Sequence, residues 1–183
     1  MIVLLIVDMQ CGMVSNGVSP TERDVIAARI HGVAESVRAV GGRVVFIRHE
    51  GPAGDSYAPG NADWEFVPSL TPLADDHVVA KTTCDAFYDT TLNHLLTAWG
   101  VDELIICGWA TDFCVDTTVR AAVSHNYSVT VVSDGHTAAD RPHLSAVRIV
   151  EHHNAVWTDL LTPGRAIRVA AANALAEELG RIG

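Results

Sequence analysis

The run Ile2-Val3-Leu4-Leu5-Ile6-Val7 constrains the fold more than any other stretch of the chain. Its six aliphatic residues show no apolar/polar alternation, so a strand built from them has protein on both faces. Strands of that kind belong to parallel sheets covered by helices on each side. The pattern recurs in Val44-Val45-Phe46-Ile47, in His77-Val78-Val79-Ala80, in Glu103-Leu104-Ile105-Ile106-Cys107 and in Ser128 to Ser133. Between these runs the apolar period changes to that of a helix. Ile26, Ile30, Val33, Ala34 and Val37 mark one amphipathic helix, closed by Gly41-Gly42. Leu92, Leu95, Leu96 and Trp99 mark a second, closed by Gly100, and Val115, Thr118, Val119, Ala122 and Val123 a third. Asp140 and Pro142 open a fourth that runs to about His152. Val156-Trp157 reads as a short sixth strand, and Thr162-Pro163 as the start of a last helix. This alternation predicts a three-layer α/β fold with a parallel sheet. Its 183 residues suit a single domain over 1–183, with a C-terminal helix appended at about 163–180.

Charge narrows the function. A formal net charge of −10 argues against nucleic acid or an anionic membrane surface as partner. The longest apolar run, Ile2 to Val7, is too short to span a bilayer, and no basic segment precedes it as in a signal peptide. Cys11, Cys84, Cys107 and Cys114 form neither a C-x-x-C pair nor a disulfide ladder, which fits reduced thiols in a cytoplasmic protein. No Cys/His zinc spacing, G-x-G-x-x-G, Walker A or G-x-S-x-G motif is present.

Open parallel sheets bind ligands beyond the carboxyl ends of their strands, at the point where strand order reverses. Asp8, His49, Lys81, Cys114 and Asp134 all fall just beyond such ends. Cys114 follows Gly108 in the first turn of a helix that Thr111 or Asp112 can cap. A helix N-terminus lowers a thiol's pKa, so a thiolate nucleophile is expected there. The alternative is a small buried core residue, the commonest fate of a free cysteine. The 51–76 loop carries four prolines and three glycines, and its Tyr57, Trp64 and Phe66 can cover a ligand.

Asp8-Met9-Gln10, Lys81 followed by Asp85-Ala86-Phe87, and Gly108-Trp109-Ala110-Thr111-Asp112-Phe113-Cys114-Val115 together resemble the isochorismatase-like cysteine hydrolases. The Asp134 turn and His152-His153-Asn154 fit as well, and the likeness covers about residues 1 to 160. The resemblance implies a Rossmann-like, six-stranded parallel sheet of order 3-2-1-4-5-6 and a catalytic triad of Asp8, Lys81 and Cys114. It also implies a cis peptide between Trp109 and Ala110, with the backbone N–H groups of Ala110 and Cys114 as an oxyanion hole. In the mechanism so implied, Asp8 takes the Cys114 proton, Lys81 stabilises the thiolate, and a thioester forms and is hydrolysed. Expected partners are a small-molecule substrate and further copies of the chain, as a dimer or tetramer.

Departures from family patterns refine this. The nicotinamidase-type metal site does not match Arg48-His49-Glu50-Gly51, since no second histidine appears before His77; neither a metal nor another cofactor is expected. Cys114 favours carbon–nitrogen over vinyl-ether cleavage. His49, Trp64, Phe87 and Trp109 are the candidate substrate-binding residues, Cys84 is a pocket-wall or packing residue, and Asp134 is a structural turn residue. A non-amide substrate, an inactive binding protein and a thiol redox sensor remain as alternatives.

Overall fold

Each residue of the Ile2–Val7 run is pressed against helices from one side of the sheet or the other, and only Ile2 keeps any exposure. The computed structural model describes residues 1–162 and 167–181. Its strands are β1 (Ile2–Val7), β2 (Arg43–His49), β3 (His77–Lys81), β4 (Glu103–Trp109), β5 (Ser128–Thr137) and β6 (Arg168–Ala170). They form one sheet of order β3-β2-β1-β4-β5-β6, and every pairing is parallel. The helices are α1 (Gly12–Ser15), α2 (Pro20–Ala39), α3 (Leu92–Ala98), α4 (Asp116–Ser124), α5 (Ala146–Asp159) and α6 (Ala172–Gly180). Single turns, a 3₁₀ turn at Ala62–Trp64 and a π turn at Thr111–Val115, complete the helices and strands among the described residues.

Side-chain alternation along the strands divides the core in two. Leu4, Ile6, Val44, Phe46 and Ile105 face α2 and α6, whose Ile30, Val33, Val37, Leu175 and Leu179 are buried against them. Val3, Leu5, Val7, Val45 and Ile106 face α3, α4 and α5, meeting Leu92, Leu96, Val119 and Trp157. Burying one such side chain stabilises the fold by roughly 1.5–3 kcal/mol. The helix starts follow simple capping chemistry: Ser19 accepts from the Glu22 N–H ahead of Pro20 at the first position of α2.

Three expectations shift. Val156 and Trp157 lie inside α5, because Ile149 and Trp157 belong to one helical stripe aimed at the core. The sixth strand is instead Arg168–Ala170, paired with Thr130 to Val132. A helix starting at Pro163 falls on a position outside the described residues; among those described, the last helix begins at Ala172. The fourth expected helix begins only at Ala146. Asp140 stays in the preceding loop and its carboxylate accepts from the Ala146 N–H at 2.7 Å.

β5 also runs on past Ser133. A register shift in its pairing with β4, between Ile106 and Gly108, lets it continue so that His136 pairs with Gly108 and Thr137 with Trp109. Asp134 is therefore within a strand rather than beyond it. Its carboxylate accepts from the Ala172 N–H at 2.8 Å and meets Arg29, so it ties α2 and α6 to the sheet.

Candidate active site

The strand order reverses between β1 and β4, and there the chain makes two unusual backbone turns. Asp8 takes a left-handed conformation (φ 47°) as the chain leaves β1. Opposite it, Gly108 has φ 124°, and a Cβ at that position would stand 2.0 Å from the Val7 carbonyl oxygen. Only glycine permits so close an approach of the two strands. The Trp109–Ala110 peptide bond is cis, and the π turn Thr111–Val115 follows at once.

Asp8 and Cys114, from these turns, and Lys81, from the end of β3, converge on one point. Lys81 Nζ, at the end of β3, lies 2.6 Å from Asp8 Oδ2 and donates to Cys114 Sγ at 3.2 Å and to the Thr83 carbonyl at 2.9 Å. Asp8 and Lys81 are both buried, and Asp8 Oδ1 has no hydrogen-bond partner. An ammonium whose neighbours are a carboxylate, a sulfur and a carbonyl keeps its proton. Burial pulls the Lys81 pKa down, but the charge of Asp8, with the hydrogen bonds to Asp8 and Cys114, outweighs it, and the net direction is up.

The thiol departs from expectation. A helix N-terminus alone would lower the Cys114 pKa, yet burial and then the Asp8 carboxylate push it well above its ordinary value, with Lys81 opposing only in part. Neither Thr111 nor Asp112 caps the turn: the preceding Ala110 is the N-cap, without a side-chain bond. Thr111 bonds His136, and Asp112 pairs with Arg141. The resting arrangement is thus a neutral thiol beside an Asp8–Lys81 ion pair.

A cavity of about 320 Å³ opens onto this cluster. Asp8, His49, Trp109, Ala110 and Cys114 line it, as does Cys84. Trp64 and Phe87 do not. Trp64 lies under the Arg48 guanidinium, 3.6 Å from its ring centre, and its indole N–H donates to Glu50. Phe87 is buried and stacks on His125. Burial pulls the His49 pKa down, and Lys81 adds to the effect, so its imidazole is neutral at pH 7.

Asp55, Tyr57, Thr82, Thr83 and Phe113 also line the cavity. The signal for the two threonines was adjacency to Lys81 beyond a strand end. Tyr57 was one of the three loop aromatics expected to cover a ligand, whereas no signal existed for Asp55, and both arrive by the folding of the 51–76 loop. Gln10, fully buried, holds that loop: its amide accepts from the His49 N–H and donates to the carbonyls of His49 and Trp64. Val67 N–H then bonds the Met9 carbonyl, and Gly51 N–H the Tyr57 carbonyl. Asn16 reaches the Tyr57 hydroxyl at 3.3 Å. The 82–88 loop is held from α4, where the Thr118 hydroxyl accepts from Ala86 N–H and donates to the Cys84 carbonyl.

Among the described residues no group of three or more His, Cys, Asp and Glu stands close enough to hold a metal ion, and no helix is long and apolar enough to cross a membrane.

Comparison with known proteins adds to this geometry. The family model of the isochorismatase domain matches residues 3–161. Streptothricin hydrolase of Streptomyces noursei is 36% identical over 139 residues, which are 76% of this chain and 50% of that protein. Ureidoacrylate amidohydrolase RutB of Variovorax paradoxus (strain S110) is 35% identical over 82 residues, 45% of this chain and 32% of that one. The chain thus spans about half the length, or less, of these curated relatives. A crystal structure of an isochorismatase family protein superposes with a TM-score of 0.80 at 30% identity, covering 93% of this chain and 98% of the other.

Proposed function

This chain belongs to the isochorismatase family, and on that premise we propose that it is a cysteine hydrolase that cleaves a carbon–nitrogen, amide-type bond of a small molecule through a Cys114 thioester. The observation that carries this reading is the position of Lys81 Nζ, buried 2.6 Å from Asp8 and 3.2 Å from Cys114 Sγ, the two side chains that line the cavity.

Each group has one task. With the thiol pKa raised and the carboxylate adjacent, sulfur is not a standing thiolate; its proton leaves as the carbonyl is attacked. Asp8 receives that proton, and the unpartnered Oδ1 is the acceptor available for it. Lys81 remains an ammonium throughout, and its charge offsets the thiolate that would otherwise face Asp8. The S–C bond forms as the carbonyl π bond opens, and the oxyanion rests on the backbone N–H groups of Ala110 and Cys114, both at the cavity wall. Collapse breaks the C–N bond, and Asp8 returns its proton to the departing amine. Water, deprotonated by Asp8, then hydrolyses the thioester and restores the thiol.

The cavity also favours a charge class. Its mouth carries the exposed carboxylate of Asp55, the His49 beside it is neutral, and the ammonium of Lys81 is engaged below. Neutral or cationic amides suit such a mouth better than carboxylates. The streptothricin hydrolase and ureidoacrylate amidohydrolase relatives support a hydrolytic reading.

The test is a panel of small amides, acid-quenched and followed by intact mass. An acyl adduct on Cys114, with both adduct and amine release abolished in Cys114→Ala, is the expected result. Amine release that persists in Cys114→Ala would overturn the reading.

A further inference from the structure

Thr111, the first residue of the π turn, is fully buried, and its hydroxyl meets His136 Nδ1 at 2.9 Å. The other ring nitrogen, His136 Nε2, lies 3.1 Å from Asn154 Oδ1 on α5. Asn154 Nδ2 donates to the Ser133 carbonyl at 3.0 Å, which leaves Oδ1 as the atom facing the imidazole. An amide oxygen only accepts, so Nε2 of His136 carries the hydrogen and Nδ1 is bare. The Thr111 hydroxyl must then donate to Nδ1, and its direction is set. His136 itself reaches this place because β5 continues past its register shift to pair with Gly108.

The far end of the same turn is held from the same helix. Trp157, packed edge-on against the His136 ring at 5.1 Å, donates its indole N–H to Asp116 at 2.7 Å. Thr111 and Asp116 bracket Cys114 in the chain, and both are tied to α5. Between them, Asp112 accepts from Nε and Nη2 of the Arg141 guanidinium at 2.8 and 3.0 Å. The turn that offers the Cys114 sulfur and N–H is therefore anchored at two residues before the nucleophile and one after it. His136 does not line the cavity that holds Cys114.

We propose that His136 is a positioning residue for the Cys114 nucleophile: locked as the Nε2–H tautomer by Asn154, it accepts the Thr111 hydroxyl and so fixes the turn that presents the Cys114 sulfur and backbone N–H. The inference rests on the reading of Cys114 as nucleophile. A loosened turn would misplace the attacking atom and the oxyanion donor, and misplacement on the scale of an ångström costs about 100-fold in rate.

Two replacements of His136 separate this role from bulk packing. In His136→Asn the side-chain oxygen takes the place of Nδ1 and keeps an acceptor for Thr111, while the contact to Asn154 is lost. In His136→Gln the amide reaches Asn154 but withdraws the acceptor from Thr111. The probe is p-nitrophenyl acetate, whose carbonyl Cys114 attacks, releasing p-nitrophenolate as the acetyl thioester forms. We expect His136→Gln and Thr111→Val to lower the acylation rate constant by about 10- to 100-fold with little change in KM. His136→Asn and Thr111→Ser should stay within about threefold of the parent, although both His136 variants melt at a reduced temperature. Equal rate losses in His136→Asn and His136→Gln, or unchanged acylation in Thr111→Val, would overturn the proposal while leaving Cys114 as nucleophile. The control is Cys114→Ala: a burst that survives it, or no burst in the parent protein, overturns the functional reading itself and this inference with it.

Discussion

Lys81 reaches Asp8 across an intervening strand. The two residues sit at the ends of β3 and β1, which are separated by β2, yet Nζ and Oδ2 are 2.6 Å apart. Two strand spacings amount to roughly 10 Å, a gap that a long side chain can bridge and a short one cannot. The ion pair is buried, so each partner neutralises a charge that would be costly alone.

Removing one partner exposes that dependence. Lys81→Met leaves the Asp8 carboxylate buried without a counter-charge and should cost about 3–5 kcal/mol of stability. It also removes the group that opposes the rise in the Cys114 pKa. Chemical denaturation should show the lost stability, and iodoacetamide labelling of Cys114 should slow.

Asp8→Asn should act on the thiol in the opposite direction. Losing the carboxylate removes a cause that raises the Cys114 pKa and keeps Lys81, which lowers it. We expect hydrolysis to be lost while the pH midpoint of thiolate absorbance moves downward. A midpoint that stays or rises would show that Asp8 does not set the protonation of this sulfur.

His136 predicts an acid-sensitive fold. Burial is the largest cause that lowers its pKa, from 6.5 to about 4, so it stays neutral in the folded protein while its unfolded form takes a proton. Its contribution is present above pH 6.5 and fades as pH falls toward 4, where the unfolded state binds the extra proton. The full effect is about 3 kcal/mol. Urea unfolding across that window should show the parent losing more stability than His136→Asn, which lacks the titrating ring.

Gly108→Ala places a methyl group 2.0 Å from the Val7 carbonyl oxygen, in a backbone conformation that alanine avoids. The strain of that φ and the forced separation of β1 from β4 should together cost about 3 kcal/mol or more. Gly41→Ala, which shares a positive φ but meets nothing within 4 Å, is the control. It should lose only the backbone part, about 1–2 kcal/mol, as read by thermal melts of the two variants.

Asp55 predicts the charge preference of the cavity. Replacing it by Asn should narrow the advantage of cationic over carboxylate-bearing amides by a few-fold in kcat/KM at low salt, and less at high salt. Ratios that ignore both the substitution and the salt would show that Asp55 takes no part in recognition.

The chain's local pattern determined its layers and which side chains stand at its strand ends. Unbroken apolar runs such as Ile2–Val7 call for protein on both faces, which β1 has and the edge strand β3, with Val78 exposed, does not; Asp8 and Lys81 stand where such runs stop, and Cys114 in the turn after β4. The six-stranded order came from the motif resemblance, and the sheet has it. Short or edge elements were beyond reach. The three-residue β6 carries no period to read, and Trp157 looks the same in a strand as on a helix stripe until a core is there to receive it. Trp64 and Phe87 illustrate the same limit, because an aromatic side chain in a loop has no direction before the loop is folded. His136 was one of nine histidines in the sequence until the shifted register of β5 set it between Thr111 and Asn154. The protonation of Cys114 was decided last of all. A helix start favours a thiolate, but burial and a carboxylate delivered from another strand outweigh it. Those opposing effects depend on distances between residues remote in the chain, and only the tertiary structure sets them.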